Sequence, residues 1–307
     1  MAAAAPALPG RMNADDVRRG EAILAKRQAN PEAAAGLTDI DILNFALSLE
    51  WLEGTFYQQG FTQFPRTDFQ ALGLSDFQID GLIEIGQTEF DHASLLQSAI
   101  AQAGFQPAEI CQYNFGFTDA GTMALTASIL EAVGVGAYLF AAQLVADPAI
   151  LTTAGSILTI EARHASVLRS ALGQVAVPTA FDVALSPRMA FSLAAPFVVS
   201  CNDGSNLAIE PFPTLTQVSP AAGQQVAINQ PLQLQSDNLA AATHCAFFAG
   251  GIQPGGVAFS PIDASGSCIT AQNLAGVVFV ALTNVAPLNG VITDNDIMAG
   301  PIAIIVS

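Results

Sequence analysis

Residues 89–92 read Glu89-Phe90-Asp91-His92, and residues 161–164 read Glu161-Ala162-Arg163-His164. The chain has three histidines, and two of them stand in this Glu-x-x-His frame. A second frame also repeats: Glu50 stands seven residues before Tyr57, and Glu131 seven before Tyr138. The chain order is Glu, Glu-x-x-His, Glu, Glu-x-x-His, the order expected if a helix pair had been duplicated. On a helix, residues three apart share one face a single turn apart. Spread over four helices, this pattern is the donor set of a two-metal carboxylate site. Four carboxylates and two imidazoles neutralise two divalent cations with ligands suited to iron or manganese. The tyrosine at plus seven returns to the face of its glutamate about 10 Å along the axis. From there its hydroxyl can bond a carboxylate of another helix and fix its orientation.

The surrounding sequence supplies the four helices. Thr38 is a good N-cap before Asp39 and Asp41. Residues 41–60 follow with Ile42, Phe45, Leu49, Leu52 and Phe56 at helical spacing, and Gly60 is placed to end that helix. Pro65 marks a loop. Ser75 then caps a second helix over residues 76–103, closed by Gly104. A loop holding Cys111 leads to Thr118 or Asp119, where a third helix starts and runs to about residue 146. Asp147-Pro148 is a cap followed by proline at the first helical position, opening a fourth helix that stops at Gly173. The second connection is the longest and is the one expected to cross over. Glu131 lies in the apolar run 127–134, where a carboxylate is costly unless paired or metal-bound. The plainer alternative is a bundle whose buried Glu and His pair with one another without metal.

Composition narrows the function classes. The chain has 307 residues, is 51% hydrophobic, 11% charged and carries a net charge of -17. Five of its nine Lys and Arg lie within the first 27 residues, and none follows Arg188. Such a surface repels nucleic acid and anionic membrane and favours cations. No run of eighteen apolar residues is uninterrupted, so no membrane span is expected. The low charge and high apolar content point to association between copies of the chain. Residues 1–37 form an Ala-rich leader with a short helix possible over 13–28. Its first ten residues lack the apolar core of a signal peptide and are compatible with the scar of a removed one.

Residues 38–200 comprise the bundle and an exit segment, in which a short helix is possible. Near Cys201 the composition changes to Gly, Pro, Asn, Thr and Val. Short apolar stretches at 226–228, 232–234, 245–248, 277–282 and 302–306 alternate with turn signals, and residues 201–307 are expected to form an immunoglobulin-like β-sandwich. The fold class is therefore α+β, with two modules. The cysteines are Cys111, Cys201, Cys245 and Cys268, an even number without Cys-x-x-Cys. With lysine scarce, this composition is compatible with a secreted or cell-wall protein. The expected pairs are Cys245 with Cys268 and Cys111 with Cys201; four buried thiols are the alternative. His244 lacks neighbouring ligands and reads as a surface or loop residue. Asp294-Asn295-Asp296 lacks the Gly and distal Glu of a calcium loop and reads as a turn. No nucleophile elbow, P-loop or dinucleotide fingerprint is present.

Residues 38–173 resemble the ferritin-like superfamily, and within it the branch of plant desiccation-related and fungal stress or sexual-development proteins. The stretch from Asp41 to Tyr57 and Glu89-Phe90-Asp91-His92 carry the resemblance. Carried over, it implies two iron or manganese ions held by Glu50, Glu89, His92, Glu131, Glu161 and His164. Glu53 lies on the same face as Glu50 one turn later and competes with it, but only Glu50 has the tyrosine at plus seven. Tyr57, Tyr138 and Glu53 are expected around the ligands. The activity implied is a catalase- or oxidase-like reaction with hydrogen peroxide or dioxygen. The resemblance alone leaves open a non-catalytic stress-protective or structural role, and below it iron oxidation and storage.

Overall fold

Each long helix begins where its side chains can satisfy the free amides of its first turn. In the computed structural model, which describes residues 37–203, 205, 209–250, 252 and 256–306, α1 spans Asp39–Gln63 and α3 spans Asp76–Gln102. Both start with capping boxes, Thr38 with Asp41 and Ser75 with Gln78. Helix α4, Ala120–Ala141, is capped by Asp119, which accepts from the Thr122 amide at 2.8 Å. Helix α5, Pro148–Ala171, is capped by Asp147 with proline at its start. Gly104 and Gly173, at φ 85° and 70°, close α3 and α5 in the left-handed region. The expected leader, residues 1–37, lies outside the described residues except for Leu37.

Three expectations for the helices need correction. Helix α1 continues past Gly60 to Gln63, and the Phe64 amide still bonds the Gly60 carbonyl at 2.9 Å. Gly60 serves packing, because a Cβ there would lie 2.3 Å from Met123 Cε. The segment after Pro65 forms a short helix, α2, Arg66–Ala71, whose Phe69 is buried. Helix α4 ends at Ala141, a turn before the position expected.

Helix α1 packs along α3, and α4 along α5; the two pairs face each other to enclose the polar cluster described below. Residues 103–119 make the crossover, pinned to α1 by the Ala108 amide on Asn44 Oδ1 at 2.7 Å and by Trp51 Nε1 on the Ala108 carbonyl at 3.2 Å. Strand β1, Gln112–Tyr113, pairs antiparallel with β2, Val198–Ser200, and the Cys111–Cys201 disulfide lies beside this pair. Helix α6, Pro187–Ala194, lies between the bundle and the β-rich region. Helix α4 is the one described helix long and apolar enough to cross a membrane, and here it is mostly buried within the bundle.

The β-rich region is a two-sheet sandwich with immunoglobulin-like strand order. One sheet runs β3-β5-β8, with β3 Thr216–Ser219, β5 Pro231–Gln235 and β8 Ser267–Ile269. The other runs β4-β10-β9-β6-β7, with β4 Gln225–Val226, β6 His244–Phe248, β7 Val257–Pro261, β9 Gly276–Thr283 and β10 Ile297–Val306. The β4–β10 pair is parallel and the rest are antiparallel. The first part of the region is thus shared between both sheets, as an immunoglobulin-like first strand can be. Leu232, Leu234, Phe247, Val278, Val280 and Ile304 fill the space between the sheets, and Cys245–Cys268 crosses it. Asp294–Asp296 is a 3₁₀ turn, and Ser186 Oγ donates to Asp294 at 2.6 Å.

The large sheet is covered on both faces. Successive strand residues point to opposite sides. Val278, Val280 and Leu282 face the sandwich interior, while Phe279 and Ala281 join a core containing Leu130, Val133, Ala137 and Met189 of the helices. Double coverage explains why β9 reads Gly-Val-Val-Phe-Val-Ala-Leu-Thr, apolar without alternation. The described residues from Thr38 onward form one compact unit.

Candidate metal centre

The repeated frames converge. Glu50 and Glu53 come from α1, Glu89 and His92 from α3, Glu131 from α4, and Glu161 and His164 from α5; all are buried. Two overlapping groups form. Donor atoms of Glu50, Glu89, His92 and Glu161 lie within 4.8 Å of one another, as do those of Glu89, Glu131, Glu161 and His164. Glu89 and Glu161, the acids of the two Glu-x-x-His frames, belong to both groups. Each group adds one acid from a helix without histidine and one imidazole.

Both imidazoles approach through Nδ1. His92 Nδ1 lies 3.2 Å from Glu50 Oε2, 3.0 Å from Glu89 Oε2 and 3.4 Å from Glu161 Oε1. His164 Nδ1 lies 2.7 Å from Glu89 Oε1 and 3.1 Å from Glu131 Oε2. The ring centroids stand 6.2 Å apart with 29° between the planes. The tyrosines cross over between the helix pairs: Tyr57 of α1 donates to Glu131 Oε1 of α4 at 2.5 Å, and Tyr138 of α4 donates to Glu50 Oε1 of α1. The two halves of the site are therefore related by a pseudo-twofold exchange of helix pairs.

Glu53 is buried beside the cluster but belongs to neither group. Some supporting residues carried no sequence signal that stood out. Thr88 Oγ1 donates to the Ile85 carbonyl at 2.7 Å and lies 3.0 Å from His164 Nε2. With its proton committed, the hydroxyl accepts from Nε2–H and leaves Nδ1 directed at the carboxylates. The matching position before Glu161 is Ile160, which offers no such bond. Gly134 admits Glu161, since a Cβ there would lie 2.4 Å from Glu161 Oε2. A glycine one turn after Glu131 was visible in the sequence, but its purpose depends on a neighbouring helix.

Charge crowding sets the protonation of the cluster. Burial, more than any other effect, raises Glu50 and Glu131 to about 7. Burial and then the charge of neighbouring acids hold Glu53 and Glu161 well above the ordinary carboxylate range. Burial opposes the charged imidazoles, yet the carboxylates around them win and push His92 up to about 12 and His164 to about 9. Glu89, also against the effect of burial, is lowered to about 2 by the two histidines. Glu161 Oε2 is buried with no donor, and Oε1 has only the His92 ring nitrogen at 3.4 Å. Buried carboxylate oxygens without donors are costly. The donor set of carboxylates and imidazoles could hold metal, which would give the crowded buried oxygens a cationic partner.

Residues 38–174 match the ferritin-like domain family. The chain is also similar to protein rds1 of Schizosaccharomyces pombe, 30% identical over 185 residues that make up 59% of this chain and 45% of that one. The chain thus spans a little under half the length of that curated relative. Residues 38–174, whose four long helices carry the repeated Glu and Glu-x-x-His frames, therefore form a ferritin-like domain.

Proposed function

We propose that the bundle holds two iron or manganese ions and reacts with hydrogen peroxide or dioxygen. The observation that carries this reading is the pair of overlapping donor groups sharing Glu89 and Glu161. In this assignment Glu89 and Glu161, common to both donor groups, would help to hold both ions. Glu50 and His92 complete one position, and Glu131 and His164 the other. The four carboxylates balance the charge of two divalent cations, which the bundle could not otherwise bury without cost. Tyr57 and Tyr138 hold Glu131 and Glu50 in orientation, and Thr88 holds His164. The helices exclude bulk water from all six ligands. An iron or manganese pair would supply the redox chemistry with the small oxidant; the protein supplies spacing, charge and a dry pocket.

A non-catalytic stress-protective or structural role is the second reading. It is favoured by the short contacts between the imidazoles and carboxylates, which give the cluster partners of its own without metal. Iron storage is disfavoured by the β-sandwich, which packs one face of its large sheet against the helices and so covers surface a storage shell would use. The two disulfides support secretion. The test is oxygen release from hydrogen peroxide, followed with an oxygen electrode on iron- and manganese-loaded protein. Release that disappears in Glu161→Ala supports the catalase-like form. No release with either metal removes that form and leaves the oxidase or non-catalytic readings.

A further inference from the structure

A cavity of about 290 Å³ lies between α4, α5, the segment at 176–183 and strand β9, and none of the buried acids or histidines of the cluster lines it. Small side chains open it: Ser128 and Ala132 on α4, and Ala162, Ala165 and Ser166 on α5. Arg169, one helical turn beyond Ala165, also lines it and is 7% exposed. Its Nε donates to the Val175 carbonyl at 2.8 Å. Its Nη1 is buried with no hydrogen-bond partner, and among the described residues no carboxylate pairs with the guanidinium. Gly276 leaves room at this edge, since a Cβ there would lie 3.3 Å from Nη1. Ser128 lines the same cavity, is 1% exposed, and its buried Oγ likewise has no partner.

The chain has 26 acidic residues, yet among the described residues none pairs with this buried arginine. Burial lowers the arginine's pKa with no neighbouring acid to oppose the shift. A buried unpaired cation is strongly destabilising. Arg169 and Ser128 both line this open-sided space, and a buried donor of each lacks a partner, which points to a missing acceptor. The rest of the wall is mostly apolar, including Val277 and Phe279 of β9, and the hydroxyls of Ser166 and Thr179 donate to the Ala162 and Phe181 carbonyls. The other charged lining residue, Asp182, is exposed, and its negative charge disfavours a second negative charge on the ligand.

We propose that this cavity binds a small organic monocarboxylate. The carboxylate accepts from Arg169 Nη1 and Ser128 Oγ, and the apolar body lies against Ala132, Ala165 and Phe279. A guanidinium matches a carboxylate in geometry and charge. One cation with apolar walls suits a monoanion with a hydrocarbon part better than inorganic phosphate.

Isothermal titration calorimetry on the metal-free full chain tests this, with butyrate and benzoate as probes and phosphate as a separate arm. Using metal-free protein keeps the probe from acting as a metal ligand. The expected result is saturable one-to-one binding of at least one carboxylate, weakened tenfold or more in Arg169→Met. That variant removes an unpaired buried charge, so its Tm is expected not to fall. Ser166→Leu, which fills the cavity and keeps the arginine, is a second route and should also lose binding. No saturable binding of either carboxylate overturns the proposal. So does binding that Arg169→Met and Ser166→Leu leave unchanged, or binding of phosphate in preference to both carboxylates.

Discussion

The interior of the helical bundle buries Glu50, Glu53, Glu89, Glu131, Glu161, His92 and His164, whereas the sandwich, among the described residues, buries no ionisable side chain. Its polar groups there are Ser260, Thr270 and Thr283, and Thr270 Oγ1 donates to backbone carbonyls at 2.6 and 2.7 Å. The sandwich core is otherwise aliphatic and aromatic, with a disulfide across it. Both cores exclude water, but only one lowers its free energy by doing so. The bundle carries desolvated charge that cations or protons must offset, so its polar interior is a site that the apolar packing around it sustains.

The largest expected effect tests the sharing of ligands. Glu161→Ala removes an acid common to both donor groups and should reduce bound metal from two ions per chain to near none. Glu131→Ala strikes one group and should leave about one ion. Equal losses in the two variants would contradict the division into shared and separate acids; metal counting on folded protein decides it.

A smaller effect tests the opposite core. Phe247 is fully buried between the sheets, and Phe247→Ala should cost about 3–5 kcal/mol of stability. Because Phe247 faces away from the helices, the metal content per folded chain should not change. Denaturant unfolding with metal analysis of the folded fraction measures both. Loss of metal in the folded variant would mean that the sandwich core and the site are coupled more closely than their packing implies.

The smallest effect is on pH dependence. Glu50 and Glu131, raised to about 7 chiefly by burial, bind protons more tightly in the folded than in the unfolded chain. Their contribution to stability is full below the ordinary carboxylate range and is lost as pH rises through 7. His164, raised to about 9, contributes stability that is lost as pH rises through 9. The metal-free protein should therefore lose a few degrees of Tm between about pH 6 and 9. The loaded protein should instead gain Tm from about pH 5 to 7, because protons compete with metal for the same atoms. Thermal melts of both forms across this range check the pair. A metal-free Tm that climbs with pH would contradict the protonation assigned to the cluster.

Much of the bundle was legible because its signals are local. Thr38, Ser75, Asp119 and Asp147 cap helices through their own side chains, and the Glu-x-x-His spacing is a property of one helix face. The tyrosine frame was legible for the same reason, although the crossed bonds of Tyr57 and Tyr138 needed the helices to be assembled. What escaped depends on neighbours. Gly60 looks like a helix end in sequence, but Met123 of α4 packs against it. Thr88 acquires its role only when His164 of another helix arrives. Strands β3 and β8 are short and partly exposed, without an apolar run to mark them. The apolar run of β9 marked a strand, but its reason was a second layer of helices over the sheet. Arg169 sits among ordinary helix residues, and only the burial of its Nη1 without a partner sets it apart.

The most direct test of the account is metal content. Protein purified without chelators or metal-affinity resin would be analysed by plasma mass spectrometry, as isolated and after anaerobic loading with ferrous and manganous ions. The account predicts about two iron or manganese ions per chain, the number the overlapping donor groups hold. Chains that bind neither ion even after loading would contradict it and leave a bundle whose buried acids are paired only with its own histidines.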